Sequence, residues 1–171
     1  MKKLEQKKKL RFWVGDRTSK PKDIHKNCIL IATTNPEGRH GMGLANIAHR
    51  FWGAEYYVGR GLSGQSYLLV TKNLTKNYFE EATGITYSRY GIRSLTKQQL
   101  SDNIEELFEV SRSMPTKSFI LAYKRGDSNL NGYSSEELIE LFTSKAKSET
   151  PSNIIFHESW KAYFQRKNHE K

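Results

Sequence analysis

The amino-acid sequence predicts an α/β fold with three layers, in which helices cover both faces of a mixed, mainly parallel central sheet. The first reason is that strand-like apolar runs alternate along the chain with segments of helical periodicity. The second is the run 28–33 (CILIAT), which is typical of a strand buried on both faces. The third is length: 171 residues can bury a real core, and 3 Trp, 9 Tyr and 8 Phe offset an apolar content of only 36%.

The predicted strands share short apolar or aromatic stretches bounded by glycine, proline or polar residues. They are 11–14, 28–33, 67–71, 118–123 and 153–156. The predicted helices share apolar residues at intervals of three and four. They are about 43–51, a helix that runs from the region of Thr96 to about 113, and a helix that begins near Ser134 and carries Leu138, Leu141 and Phe142, with a last amphipathic turn near 160–164. We expect residues 18–27 to form a loop or a short helix entry, and residues 73–95 a long, partly irregular excursion.

Two helices carry explicit start signals. Thr96 is followed three residues later by Gln99, and Ser134 by Glu137. This spacing is the capping box, in which each side chain accepts a hydrogen bond from the other residue's backbone N–H. Pro115 is expected to end the first of these helices.

The charge of the chain is +10 but is unevenly distributed. Residues 1–26 contain ten Lys and Arg against three acidic residues. We therefore expect residues 1–10 to be a basic, flexible tail and residues 11–171 a single domain. Such a tail either makes a weak, salt-dependent contact with nucleic acid or is simply a solvated end.

The sequence also predicts a cytoplasmic location, or the host cytoplasm if a phage encodes the chain. It has no apolar stretch long enough to span a membrane, and charges rather than an apolar core follow the first methionine. Its one cysteine, Cys28, is expected to be a packed thiol. The histidines show no metal-ligand spacing with it, so no metal or cofactor is expected.

The most informative stretch is 35–45 (NPEGRHGMGLA), which places three glycines between a buried strand and a helix. Glycine lets backbone N–H groups approach a ligand closely, and a helix N-terminus carries about half a positive charge. The segment therefore predicts an anion site, although a glycine-rich turn that binds nothing has the same pattern. A second polar glycine loop, 124–132, follows the strand 118–123. Because ligands of open α/β sheets bind at the carboxyl edge, two such loops there favour a phosphate or nucleotide.

With these segments placed, residues 11–160 resemble a divergent macrodomain, the ADP-ribose-binding family. The residues 15–18 (GDRT) are similar to its early Gly-Asp-Ile-Thr, and the segments 32–35 and 38–45 to its strand, Asn and glycine loop. Residues 70–72 (VTK) resemble a strand end in the branch of terminal ADP-ribose glycohydrolases and the antitoxin that removes ADP-ribose from DNA. The segments 38–41 and 61–67 also resemble small proteins of phages and bacteria. The loop 126–132 departs from the family because it lacks a Gly-x-Gly core.

The resemblance implies a set of site residues. Lys72 would attack the anomeric carbon of ADP-ribose, and Asp127 would orient the distal ribose or act as a base. Asp16 would hold adenine, and His40 would contact phosphate or transfer a proton. The full set of implied binding residues is Asp16, Asn35, Gly38, Arg39, His40, Gly41, Met42, Gly43, Gly126, Ser128, Asn129, Asn131 and Gly132.

Several functions remain open from the sequence. The favoured one is hydrolysis of an ADP-ribose linkage on a protein or nucleic acid. The alternatives are a phosphatase acting on ADP-ribose 1″-phosphate, a non-catalytic binder of ADP-ribose or a signalling nucleotide in phage–host conflict, and a basic nucleic-acid-binding protein. Each of these residues also has an ordinary structural interpretation. Lys72 would be a surface lysine at a strand end, Asp16 and Asp127 would form turns, and His40 would be a loop histidine that faces solvent or bonds to the backbone.

Overall fold

The computed structural model describes residues 10–18, 26–127 and 131–169. Within these ranges the strands are β1 (Arg11–Trp13), β2 (Cys28–Thr34), β3 (Gly61–Ser63), β4 (Ser66–Val70), β5 (Tyr78–Glu80), β6 (Ile85–Tyr87), β7 (Ser118–Leu121) and β8 (Ile154–His157). The helices are α1 (Gly43–Phe51), α2 (Lys97–Ser113), α3 (Ser135–Phe142) and α4 (Lys161–His169), and a 3-10 turn, Glu158–Trp160, precedes α4. Residues 1–9 of the predicted tail lie outside the described residues.

Six of the strands form one mixed sheet in the order β1-β8-β7-β2-β4-β3. Neighbours are parallel from β1 to β4 along this order, and only the edge strand β3 runs antiparallel, against β4. β5 and β6 pair separately as an antiparallel hairpin. The predicted α/β class with a mixed, mainly parallel sheet is thus confirmed.

The side chains of the central strand β2 alternate between the two faces of the sheet. Leu30 and Ala32 pack against the layer that contains α1, whereas Ile29 and Ile31 pack into the larger core with α2 and α3. Because successive residues of a strand point to opposite faces, a continuous apolar run can serve both layers. Helices on both sides of the sheet give the three layers that the sequence predicts.

Both predicted capping boxes are present. The Oγ1 atom of Thr96 accepts a hydrogen bond from the backbone N–H of Gln99 at 3.1 Å, and the Gln99 side chain accepts from the Thr96 N–H at 2.9 Å. The Ser134 and Glu137 pair does the same at the start of α3, at 3.1 Å in each direction. Short-range hydrogen-bonding residues therefore set where both helices begin.

Three short strands were not predicted. β3 lies in the glycine-rich segment 59–66, which the sequence predicts as a turn and not as a strand, and the hairpin β5–β6 lies in the excursion 73–95. Strands of three residues are too short to show a periodic pattern. They exist here because β3 pairs with the buried strand β4, and β5 pairs with β6.

Candidate functional site

The carboxyl ends of three adjacent parallel strands, β4, β2 and β7, lie at one edge of the sheet. A cavity of about 680 Å³ opens there. Cavities that bind small molecules have volumes of roughly 300–1,000 Å³. Its wall is formed by Arg17, Thr33, Thr34, Asn35, Arg39, Gly41, Met42, Gly43, Leu44, Ala45, Ile47, Tyr56, Thr71, Lys72, Leu74, Tyr123, Asp127 and Asn131.

This wall brings together most of the residues selected from the sequence. Those on it are Asn35, Arg39, Gly41, Met42, Gly43, Lys72, Asp127 and Asn131. Five other described residues, Asp16, Gly38, His40, Gly126 and Gly132, are not part of the wall. Ser128 and Asn129 lie outside the described residues. Residues separated by up to 96 positions in the chain thus meet at the predicted edge.

The glycine loop is braced by Asn35, which is 7% exposed. Its amide Nδ2 donates to the carbonyl of Arg39 at 2.8 Å, and its Oδ1 accepts from the N–H of Arg39 at 3.0 Å. The amide therefore closes the loop through two hydrogen bonds. Asn35 thereby fixes the backbone of Arg39 on the cavity wall.

Helix α1 begins at this cavity with its N-terminus uncapped by any side chain. The N-cap residue, Met42, makes no side-chain hydrogen bond to the helix, and the first turn contains no acidic residue. Gly43, Leu44 and Ala45 all line the cavity. The first N–H groups of a helix have no partner within the helix, so this end of α1 is suited to an anion.

The glycines of the loop serve different purposes. A Cβ atom built on Gly38 would lie 2.3 Å from the backbone of Tyr57, and Gly38 has a φ of 71°. Gly38 is therefore required for packing. A Cβ atom on Gly41 would meet only the Tyr56 hydroxyl, at 4.0 Å. Gly41 leaves open space on the cavity wall, and a ligand would need such space to approach the backbone.

His40 points away from the cavity wall and into the protein. The side chain is 1% exposed, and its Nε2–H donates to the Glu55 carbonyl at 3.0 Å. Burial lowers the pKa of His40 below 6.5, against the opposing effect of backbone hydrogen bonds. His40 is thus a neutral imidazole that holds the glycine loop to the segment 55–58. This matches the alternative interpretation of His40 as a histidine bonded to the backbone. Phosphate contact or proton transfer by His40 has no support from this placement.

The cavity wall is rich in positive charge. It contains Arg17, Arg39 and Lys72 but, among its described residues, only one carboxylate, Asp127. Arg39 is 58% exposed and pairs with Glu37 at 3.3 Å. Lys72 is partly buried, lies two residues after the end of β4, and makes no ion pair or hydrogen bond within the described ranges. An unpaired ammonium group and an uncapped helix end on one wall favour an anionic ligand.

Asp127 is held by residues near the other side of the cavity. Its Oδ2 atom accepts from the Arg17 guanidinium at 2.6 Å and from the N–H of Lys124 at 2.8 Å. The same Arg17 nitrogen donates to the carbonyl of Ala122 at 3.2 Å. These contacts fix the carboxylate on the wall, and in the described part of the chain no hydrogen bond reaches its Oδ1 atom.

Asp16 is exposed and forms a local turn. Its Oδ1 atom accepts from the N–H of Thr18 at 2.9 Å, a hydrogen bond that lowers the pKa of the Asp16 carboxyl. These contacts match the alternative interpretation of Asp16 as a turn-forming residue. An adenine contact by Asp16 stays a prediction.

Arg17 and Tyr123 are two of the polar wall residues that the sequence does not identify as site residues. Arg17 escapes sequence reasoning because its ion pair with Asp127 joins residues 110 positions apart. Tyr123 is predicted only as the last residue of a strand. It is 2% exposed, lines the cavity, and its hydroxyl has no hydrogen-bond partner among the described residues. Buried hydroxyls nearly always have a partner. The sequence feature that could have identified Tyr123 is a polar side-chain atom at the end of an otherwise apolar strand.

The described helices include none that could cross a membrane by length and apolar character. Among the described residues, no cluster of three His, Cys, Asp or Glu side chains could hold a metal ion.

A scan against protein-family models and a search of curated proteins each found no match to this chain. The geometry of the cavity and the resemblance of the motifs are therefore the features that bear on the function of this chain.

Proposed function

We propose that this protein binds ADP-ribose, or a closely related nucleotide diphosphate, in the cavity at the carboxyl edge of the sheet. The observation that carries the proposal is the uncapped N-terminus of α1 on a wall with three cationic side chains. A diphosphate would accept hydrogen bonds from the N–H groups that follow Gly41, and Arg39 would neutralise part of its charge. The motif resemblance to macrodomains independently supports the same ligand.

The proposed activity is hydrolysis of an ADP-ribose linkage, with Lys72 as the nucleophile. In its neutral form, the Lys72 Nζ atom would form a bond to the anomeric carbon while the bond from that carbon to the linked macromolecule breaks. The leaving atom takes up a proton, and water then releases ADP-ribose from the lysine. The support is the position of Lys72 on the cavity wall, where no other described residue forms an ion pair with it. The macromolecule that carries the ADP-ribose is a protein or a nucleic acid.

A non-catalytic binder is the second candidate function. The observation that favours it is the ion pair between Asp127 and Arg17. This pair engages the Asp127 carboxylate, for which the resemblance implies a role in the reaction. In this case the anion site would function as proposed and no linkage would be cleaved. The phosphatase and nucleic-acid-binding alternatives stay predictions from the sequence, as does a cytoplasmic location.

The deciding experiment compares wild type with Lys72→Ala. We expect both proteins to bind ADP-ribose with affinities within about threefold, because backbone N–H groups hold the diphosphate. Release of ADP-ribose from modified DNA or modified protein should fall at least about 100-fold in the variant, as expected when a nucleophile is lost. Lys76→Ala is the matched control, since Lys76 is exposed and lies off the cavity wall.

The rate of wild type should rise with pH, because only a deprotonated lysine can attack. Borohydride added during turnover should attach substrate-derived mass to the peptide that contains Lys72. Equal turnover by wild type and Lys72→Ala would refute the lysine mechanism. Binding without release from any tested substrate would establish the binder instead, and absence of ADP-ribose binding would refute both.

A further inference from the structure

Tyr123 places an unsatisfied hydrogen-bonding group in the wall of the cavity. It follows β7 and is 2% exposed, and its backbone carbonyl accepts from Trp160 Nε1 at 3.1 Å. Its hydroxyl oxygen is shielded from solvent and has no partner among the described residues. The structure therefore holds, in a residue that lines the cavity, a buried polar group that no described residue satisfies.

In the sheet order, Tyr123 and Lys72 lie on opposite sides of the glycine loop that follows β2. Tyr123 follows β7 and Lys72 follows β4, and β2 with its glycine loop lies between these two strands. Adjacent strands are about 4.8 Å apart, so the two positions are separated by roughly 10 Å across the sheet. A ligand whose diphosphate lies at the loop would extend one half toward Lys72 and the other half toward Tyr123.

Asp127 shares this side of the cavity. Its Oδ2 atom is engaged by Arg17 and by the Lys124 N–H, but its Oδ1 atom receives no hydrogen bond from the described residues. Arg17 balances the charge of the carboxylate at 2.6 Å. Within the described part of the chain, the wall thus offers an acceptor without a partner at Asp127 Oδ1, in addition to the hydroxyl of Tyr123.

We propose that Tyr123 and Asp127 form the nucleoside subsite of the cavity, with the Tyr123 hydroxyl donating to, and the Asp127 carboxylate accepting from, the adenosine half of the ligand. This inference rests on the proposed function, since the position of the other half is set by Lys72. It assigns recognition of the nucleoside to the end of β7, whereas the resemblance assigns adenine to Asp16. Asp16 is exposed and is not part of the cavity wall.

The environment of Tyr123 favours a donor. Burial, followed by the charges of Asp127 and Glu136, raises the pKa of the Tyr123 hydroxyl well above its ordinary value of 10. The phenol therefore keeps its proton at neutral pH and donates it to an acceptor such as a ring nitrogen or a sugar oxygen.

The test is Tyr123→Phe, which removes only the hydroxyl. We expect its thermal stability to equal or exceed that of wild type, because the hydroxyl has no partner to lose. Its affinity for ADP-ribose and for AMP should fall roughly five- to tenfold, equivalent to about 1–1.4 kcal/mol. Its affinity for ribose 5-phosphate, a probe of the half near Lys72, should not change. Nuclear magnetic resonance titration measures all three ligands, including the weak ones.

The matched control is Tyr87→Phe. The Tyr87 hydroxyl donates to Glu80 at 2.7 Å and lies off the cavity wall, so this variant should lose stability and retain all three affinities. If Tyr123→Phe binds AMP and ADP-ribose as wild type does, or loses ribose 5-phosphate equally, the subsite is refuted while the proposed function stands. A loss of stability in Tyr123→Phe would also overturn it. If wild type binds none of the three ligands, the proposed function itself is refuted, and the subsite with it.

Discussion

At the scale of single residues, the glycines near the cavity differ in whether a side chain would fit at their positions. A Cβ atom on Gly59 would lie 2.5 Å from the carbonyl oxygens of Asn35 and Pro36, which is closer than real Cβ atoms approach. Gly59 is therefore a packing residue, as is Gly38. Gly41 has open space and does not have a positive φ. This contrast separates glycines that the fold requires from a glycine that a ligand would require.

We predict that Gly41→Val keeps the fold but loses ADP-ribose affinity by at least about tenfold, because its side chain blocks the approach to the N–H groups of α1. Gly59→Ala should instead lower the free energy of unfolding by about 1–3 kcal/mol, the usual cost of overpacking. Urea unfolding and titration calorimetry with ADP-ribose measure the two effects. Normal binding by folded Gly41→Val would refute the anion site in this loop.

At this scale the order of strand β2, the glycine loop and helix α1 could be predicted, because its signal is local. The glycines, the preceding strand and the following helix occupy consecutive positions, and α1 spans the residues that the apolar spacing predicts. The roles of Gly38 and Tyr123 could not be read in the same way. They depend on the backbone of Tyr57 and on the partners available around a buried hydroxyl, which only the tertiary structure supplies.

At the scale of elements, a buried ionic cluster connects the β5–β6 hairpin to the rest of the protein. The guanidinium of Arg60 donates to both carboxylate oxygens of Glu80 at 3.0 Å and to Asn103 Oδ1 at 2.9 Å. Glu80 also accepts from the Tyr87 hydroxyl at 2.7 Å. Asn103 on α2 in turn donates to the carbonyl of Val70, two residues before the proposed nucleophile. The cluster therefore fixes the end of β4 from which Lys72 projects.

The cluster is stable as an ion pair because its members satisfy one another. Burial alone would raise the pKa of Glu80, but hydrogen bonds from Arg60, Thr83 and Tyr87 outweigh it and lower that pKa below 4.5. The side chains of Arg60 and Glu80 are only 11% and 5% exposed. Removing one partner would leave the other charge buried and unpaired, which is far more costly than losing a surface ion pair.

We predict that Arg60→Met lowers the free energy of unfolding by about 3–5 kcal/mol. The control is Lys145→Met, which removes an exposed pair with Glu140 at 3.7 Å and should cost less than about 1 kcal/mol. Urea unfolding monitored by Trp fluorescence measures both. Equal losses in the two variants would show that the cluster contributes no more than an ordinary surface contact.

At the scale of the whole molecule, the sequence predicted the layers and most elements, whereas the structure supplied the long-range connections. The capping boxes and the buried strands have signals within a few residues, so their positions could be predicted. The pairing of Arg60 with Glu80 spans 20 positions and that of Arg17 with Asp127 spans 110. No local pattern encodes such pairs, and this is why the glycine loop and helix α1 were predictable and the ion pair on the opposite side of the cavity was not.

Acid should destabilise the whole molecule through several carboxylates and histidines. Hydrogen bonding to Lys97 at 2.9 Å, and then to the Ser134 N–H, lowers the pKa of Glu137 from 4.5 to about 2. A carboxyl whose pKa is lower in the folded state stabilises the fold above its unfolded pKa, and this contribution is lost as the pH falls. Burial lowers the pKa values of His40 and His157, so they act in the same direction but begin near pH 6.5.

We predict that the wild-type free energy of unfolding declines below about pH 6.5 and falls further between about pH 4.5 and 2. Glu137→Gln isolates one contribution, because glutamine can keep the capping box but does not titrate. The variant should be less stable than wild type at pH 7, and the difference should vanish as the pH approaches 2, where the wild-type carboxyl becomes protonated. Glu81→Gln, which removes an exposed carboxylate with no ion pair among the described residues, should follow the wild-type curve. Urea unfolding at a series of pH values tests this, and a stability difference that stays constant from pH 7 to pH 2 would show that the charge of Glu137 contributes nothing.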